Sequence, residues 1–80
     1  MNKKETYNRV FIESFDLDEK QLNDKLEYNS IEAWDSIGHM QIIAELEDIF
    51  EIELEMDDII NFSSYNEGMQ ILVKYGIEVN

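Results

Sequence analysis

Apolar residues recur at helical spacing in several stretches of this chain, and between two of them they alternate with acids. Over residues 3–15, Tyr7, Val10, Phe11 and Phe15 fall on one side of a helical wheel, with Ile12 off it. This predicts a first amphipathic helix. The central stretch, 34–50, reads W-D-S-I-G-H-M-Q-I-I-A-E-L-E-D-I-F. Asp35 is a good helix N-cap, because its carboxylate accepts the free backbone N–H groups of a first turn. That places Ser36 at the first helical position with its hydroxyl exposed and predicts a helix over roughly 36–51. Its wheel has three faces. Ile42, Ile43, Leu46, Ile49 and Phe50 share the arc expected to face the core. Gln41, Glu45 and Asp48 share a solvated arc. Ile37, Met40 and Ala44 form a second, smaller apolar arc with Glu47 at its edge. A helix that only packs needs one apolar arc, and a second beside acids points to a surface that another protein touches.

The rest of the pattern is shorter-ranged. Residues 16–34 space Leu17, Leu22, Leu26, Tyr28 and Ile31 among acids, amides and lysines, which predicts a long loop anchored by those residues, with a turn of helix near 18–23. A loop of that length in a compact domain usually has a job. Residues 51–55 alternate like a strand. With no partner strand elsewhere, they are expected to form an extended link that buries Ile52 and Leu54. Asp57 and Asp58 open a short apolar helix through Ile59, Ile60 and Phe62. Ser64 and Glu67 have the spacing of a capping box and start a last helix. Its Met69, Leu72, Val73 and Tyr75 fall largely on one face, and Gly76 is placed to close it. There are no repeats and no low-complexity linker. The expected fold is all-α: a small four-helix bundle of three main helices plus a short third helix. It forms one domain over 1–80, near the lower size limit for folding on a hydrophobic core alone.

Charge sharpens the picture. The chain holds 19 acids and 6 bases, a net −13. The imbalance is concentrated: residues 1–34 carry 8 acids and 5 bases, while residues 35–80 carry 11 acids and 1 base. Such a surface argues against nucleic acid, whose phosphates need cations. It argues equally against docking on anionic membranes. It favours basic protein partners, steered by the field, although acidity also serves simply to keep a small protein in solution. Without cysteine, disulfides, thiolate catalysis and cysteine metal sites are excluded. No signal peptide or membrane span is readable, so a cytoplasmic monomer without membrane insertion is expected.

Candidate chemistry is sparse. The single His39 cannot build a histidine metal cluster, and Asp57 and Asp58 would attract divalent cations only loosely. Asp35, Ser36 and His39 supply the residue types of a hydrolytic triad. A triad also needs an oriented base, an oxyanion hole and a substrate pocket, for which an 80-residue bundle has little room. His39 is more simply a partly buried side chain on the core edge of its helix. Trp34 is expected to close the loop onto the bundle, or, being near Ser36, to shelter a bound group.

The triplet Asp35-Ser36-Ile37 at a loop–helix junction resembles the Asp-Ser-Leu motif of acyl carrier proteins. The context strengthens the likeness. Leu46-Glu47-Asp48-Ile49-Phe50 resembles the Leu-Glu-Glu-Glu-Phe that ends the family's second helix, and Glu53-Leu54 resembles its Glu-Ile. Asp57 and Asp58 match acids of the family's third helix. Ser63 and Ser64 stand where the family often has Thr-Thr before the last helix. The alignment from Asp35 to Leu72 needs no gap, so the resemblance covers 34–72 closely and the whole chain loosely.

The resemblance implies a carrier and not an enzyme. A phosphopantetheinyl transferase would move 4′-phosphopantetheine from coenzyme A to Ser36, and acyl groups would ride as thioesters on the arm's thiol. Asp35 matches the motif acid. A helix N-terminus suits the added phosphodiester, since the dipole and free N–H groups favour an anion. Partner enzymes with basic docking patches are expected on Ile37, Met40, Gln41, Ala44, Glu47, Asp48 and Asp57. A long cargo would need a cavity among Ile43, Leu46, Leu54, Phe62, Met69 and Leu72. Departures from the family bear on the pathway. Trp34 replaces a small residue, Gly38 and Gln41 stand where fatty-acid carriers often have acids, and Met56 and Ile60 replace acids of the third helix. These favour a dedicated lipid, natural-product or surface-polysaccharide pathway over housekeeping fatty acid biosynthesis. An aminoacyl carrier loaded by an adenylating enzyme, and an acidic helical adaptor without a prosthetic group, are the alternatives.

Overall fold

Asn2 opens the first helix by accepting the N–H of Glu5 on its side chain, which satisfies one free donor of the first turn. The structure, a computed structural model, describes residues 2–79. It is an all-α bundle of four helices: α1 Lys3–Phe15, α2 Ser36–Phe50, α3 Met56–Asn61 and α4 Tyr65–Val73. A 3-10 turn, Glu19–Gln21, interrupts the long α1–α2 loop, capped by Asp18 within the predicted stretch.

The buried face of α1 is the predicted one: Tyr7, Val10, Phe11 and Phe15. These rings form the centre of the core. Phe11 packs edge-on against Tyr7 at 5.0 Å and Trp34 at 5.5 Å, and lies parallel to Phe62 at 6.4 Å. The Tyr7 hydroxyl donates to the Tyr65 carbonyl at 2.7 Å, so this buried ring keeps its polar tip satisfied.

On α2, Ile42, Ile43 and Leu46 are buried and Phe50 is half-buried, as expected. Ile49 is not in the core. It lies at the edge of the apolar stripe in the last turn and is 42% exposed. On α4 the buried stripe is Tyr65, Gly68, Ile71 and Leu72; of the expected Met69, Leu72, Val73 and Tyr75, only Leu72 belongs to it. Val73 is exposed, and Met69 and Tyr75 only pack against the core. The cause is Gly68, whose missing side chain lets α4 sit directly on the rings of Phe62 and Tyr7; a Cβ there would collide with both. An apolar pattern scores glycine as a gap, so the tightest contact of the helix is invisible to it.

The link 51–55 is extended and buries Leu54, with Ile52 half-buried. Helix α3 begins at Met56 and ends before Phe62, which is fully buried, while Ile60 remains 68% exposed. Asp57 is exposed, but Asp58 is buried. Its carboxylate accepts from Lys74 Nζ at 2.7 Å and from the Tyr75 hydroxyl at 2.6 Å. The hydrogen bond from Lys74, and then that from Tyr75, hold its pKa below the ordinary value. Tyr75 in turn accepts the N–H of Glu55 at 2.9 Å, so the end of α4 fastens the start of α3.

The Ser64 hydroxyl caps α4 by accepting the Glu67 N–H at 2.9 Å, one arm of the expected box. Gly76 closes the segment as predicted. It has φ +83°, with Ile77 N–H bonded to the Leu72 carbonyl and Gly76 N–H to that of Val73, the paired bonds of a Schellman ending. The α1–α2 loop is held by Leu26, which is buried, and by half-buried Leu17, Leu22 and Ile31. Tyr28, expected as a further anchor, is 40% exposed. Its backbone instead pins the loop to the α3–α4 junction: Tyr28 N–H donates to the Ser63 carbonyl and Tyr65 N–H to that of Leu26, each at 2.9 Å.

Candidate functional site

The N-terminus of α2 is built by its cap. Asp35 is extended, and its carboxylate accepts the Gly38 N–H at 2.8 Å. Ser36 is therefore the first helical residue. It is exposed, and its hydroxyl has no hydrogen-bond partner among the described residues. Gly38 is buried one turn on. A Cβ at this position would run into the Ala33 carbonyl oxygen, so the glycine lets the loop cross close to the helix and hand Trp34 into the core.

Trp34 is fully buried. Its indole N–H donates to His39 Nδ1 at 3.0 Å, and His39 Nε2 lies 2.8 Å from the Ile59 carbonyl oxygen. Since the carbonyl can only accept and the indole can only donate, the imidazole is the neutral Nε2–H tautomer. One ring thus ties the α1–α2 loop, α2 and α3 together. Half-buried on the core edge, His39 sits as the sequence suggested. Trp34 closes the loop onto the bundle. It shelters no ligand, because its ring is packed against Phe11, Phe15 and His39 with no surface left over.

The residue types of a hydrolytic triad are thus adjacent but otherwise engaged. The Asp35 carboxylate caps the helix, and both His39 nitrogens are committed to Trp34 and Ile59. Neither orients Ser36 as a nucleophile needs.

Beside Ser36 an apolar cleft of about 350 Å³ opens between the start of α2 and α3. Met40, Met56, Ile59 and Ile60 form its sides; His39 and Phe62 form its back. Tyr28 and Ser63, brought together by the loop–junction bond, complete the rim. Among the described residues no Asp, Glu, Lys or Arg lines it, although the chain as a whole is strongly acidic. Of the six residues expected to surround a cargo cavity, only Phe62 reaches this cleft. Ile43, Leu46, Leu54 and Leu72 are buried in the core and Met69 packs against it. Sequence reasoning missed Tyr28, Met56, Ile59, Ile60 and Ser63 as cleft residues. The signal available was the exposed apolar character of α3, where Met56 is 70% and Ile60 68% exposed.

The second apolar arc of α2 is on the surface, where the wheel put it: Ile37 is 70% exposed and Met40 53%. The arc is a ridge with unlike flanks. Met40 borders the cleft and α3, while Gln41 and Ala44 border a shallow groove shared with Glu13 and Ser14 of α1. Asp48 and Asp57 are exposed. Glu47 is half-buried, and its Oε2 accepts the Leu54 N–H at 2.9 Å, so this carboxylate fastens the α2–α3 link.

No described helix is long and apolar enough to cross a membrane. Comparison of the chain with family models, with curated proteins and with solved structures gives no match.

Proposed function

We propose that this chain is a discrete acyl carrier, with 4′-phosphopantetheine joined through a phosphodiester to Ser36. The observation that carries the reading is the placement of that hydroxyl. Ser36 is exposed, with no hydrogen-bond partner for its hydroxyl among the described residues, at the first position of a capped 15-residue helix, and it lines an apolar cleft. The residues present fit such a group. An attached phosphate would meet the positive end of the α2 dipole. The group supplies a flexible thiol on which acyl intermediates travel as thioesters. Asp35 holds the helix start rigid beneath the attachment point, and Met40, Met56 and Ile60 offer the first apolar contacts to a cargo. The absence of charge in the cleft favours an acyl over a charged aminoacyl load.

Partners of this reading are a phosphopantetheinyl transferase and enzymes that load and accept the acyl group, in a lipid, natural-product or surface-polysaccharide pathway. Basic docking patches would match the acidic half of the chain. A second reading rests on the exposed Ile37, Met40, Met56 and Ile60. The same patch would serve an acidic helical adaptor that binds a protein without any prosthetic group.

Intact-mass measurement after incubation with a broad-specificity transferase, coenzyme A and Mg²⁺ separates the two. A single phosphopantetheine adduct is expected on the parent chain and none on Ser36→Ala. A parent chain that stays unmodified while a known carrier in the same tube is converted would leave the adaptor.

A further inference from the structure

The chain's single histidine holds its neighbours by two bonds that exist together only while the ring is neutral. Trp34 Nε1 can only donate, so its 3.0 Å bond to His39 Nδ1 uses the lone pair of that nitrogen. Nε2 carries the ring's proton and donates to the Ile59 carbonyl at 2.8 Å. A second proton has one place to go, the Nδ1 lone pair. Once there it faces the indole N–H, donor against donor, and that bond is lost.

The surroundings offer an imidazolium no anion. The α1–α2 loop brings a phenol, Tyr28, edge-on to the ring at 5.6 Å. On α2 the Asp35 carboxylate is taken up by the Gly38 N–H. On α3 Asp57 is exposed, and Asp58 is engaged by Lys74 and Tyr75. Phe62, just past α3, presents only a ring, at 6.1 Å. Among the described residues no carboxylate is hydrogen-bonded to His39. The ring is half-buried and lines the cleft, so a charged form is better solvated turned out into the cleft than held against the fully buried indole.

We propose that His39 is a proton-sensitive latch: neutral, it fastens α3 to α2 and to the Trp34 loop; protonated, it leaves Trp34 for the cleft and loosens α3. One proton passes from solvent to Nδ1, and the step reverses when it leaves. The latch goes beyond the carrier reading and needs no group on Ser36. Imidazoles change charge within about pH 5–8, so mild acidification would loosen the side of the cleft while the Phe11-centred core stays assembled.

NMR of the unmodified full chain from about pH 8 to about pH 5 tests this. Trp34 is the only tryptophan, so its indole N–H is a single reporter. The His39 ring signals, the indole N–H and the amides of residues 56–61 should shift with one common midpoint. Protection of those amides against hydrogen exchange should fall about fivefold, the worth of one net hydrogen bond. The amides of Leu46 and Leu72 should keep theirs. His39→Gln offers an oxygen to the indole and an N–H to the carbonyl but does not titrate, so it should show no step. Asp58→Asn should keep the step. Should the glutamine variant not fold, the common midpoint in the parent decides. A His39 ring that titrates without moving the indole N–H, a ring that stays neutral down to the lowest pH, a step that survives in His39→Gln, or loss of protection at Leu46 and Leu72 together with α3 would each overturn the proposal.

Discussion

The indole N–H of Trp34 and Nδ1 of His39 meet at 3.0 Å, five residues apart, across the junction where a loop becomes a helix. The bond gives the indole N–H of the fully buried Trp34 an acceptor, and it directs the other nitrogen of the imidazole onto α3. Replacing His39 by Ala would leave the indole donor and the Ile59 carbonyl without this partner. Each unsatisfied buried group costs about 1–3 kcal/mol. His39→Ala should therefore lower stability in urea by about 2–4 kcal/mol, read from Trp34 fluorescence, and His39→Gln should recover part of the loss. An unchanged midpoint would mean that the two rings are not bonded in solution.

Asp58 predicts an acid-sensitive attachment of α3. Its carboxyl titrates below the ordinary value of 3.8, chiefly because Lys74 and then Tyr75 donate to it. A group with a lower pKa folded than unfolded binds its proton more readily in the unfolded chain. The stabilisation is thus fully present above the unfolded pKa and is lost as pH falls through the folded one. Loss should begin below about pH 5. Other acids of the chain titrate in the same range, so the difference between the parent and Asp58→Asn isolates the effect. The parent should be the more stable at pH 7, and the gap should shrink steadily toward pH 3 in urea melts. A gap independent of pH would show that Asp58 is held by packing and not by its charge.

Asp35 and Ser36 are neighbours with opposite duties, and single substitutions should separate them. Asp35→Ala removes the acceptor of the Gly38 N–H and should cost about 1 kcal/mol, the usual worth of an N-cap. Ser36→Ala touches an exposed side chain and should stay within about 0.5 kcal/mol of the parent. Thermal melts of both proteins decide this without reference to any cargo.

Glu47 and Asp48 lie side by side in the acidic stretch of α2, but among the described residues only the Glu47 side chain makes an intramolecular hydrogen bond. Glu47→Lys should lose the bond to the Leu54 N–H and destabilise the link by about 1–2 kcal/mol. Asp48→Lys should leave the melting temperature unchanged. If basic partners approach this face, Asp48→Lys should slow loading by the transferase at low salt and make the rate less salt-dependent. Identical loading curves for parent and Asp48→Lys would move the docking face elsewhere.

Periodicity recovered the helices because their main stripes are ordinary amphipathic ones: Tyr7, Val10, Phe11 and Phe15 on α1, and Ile42, Ile43 and Leu46 on α2. The local caps were equally legible, since Asp35, Ser64 and Gly76 act within a few residues of themselves. What escaped depends on contacts distant in sequence. Gly38 and Gly68 are dictated by the Ala33 carbonyl and by the rings of Tyr7 and Phe62, none of which a pattern along one helix can reveal. Asp58 resembles any first-turn acid until Lys74 and Tyr75 close over it. The cleft escaped for a related reason. Its sides come from Tyr28, Met40 and α3, and the expectation looked for cargo space among the most apolar residues, which are the ones already packed together. The exposed Ser36 was legible because its position follows from Asp35 alone.

Six residues are too few to hold a helix in water by themselves. Helix α3 therefore persists through bonds made around it: Ile59 to His39, Asp58 to Lys74 and Tyr75, and the preceding Leu54 to Glu47. Of these bonds only that of His39 touches the Phe11-centred aromatic cluster, through Trp34 and Phe62. The wall of the cleft can consequently detach while α1, α2 and α4 remain assembled, an opening smaller than unfolding. Amide hydrogens of residues 56–61 should exchange by such excursions, faster than those of the middle of α2, and the gap should widen in Asp58→Asn. A protein this small would then possess a moving part, whose looseness is set by four bonds and not by the stability of the whole.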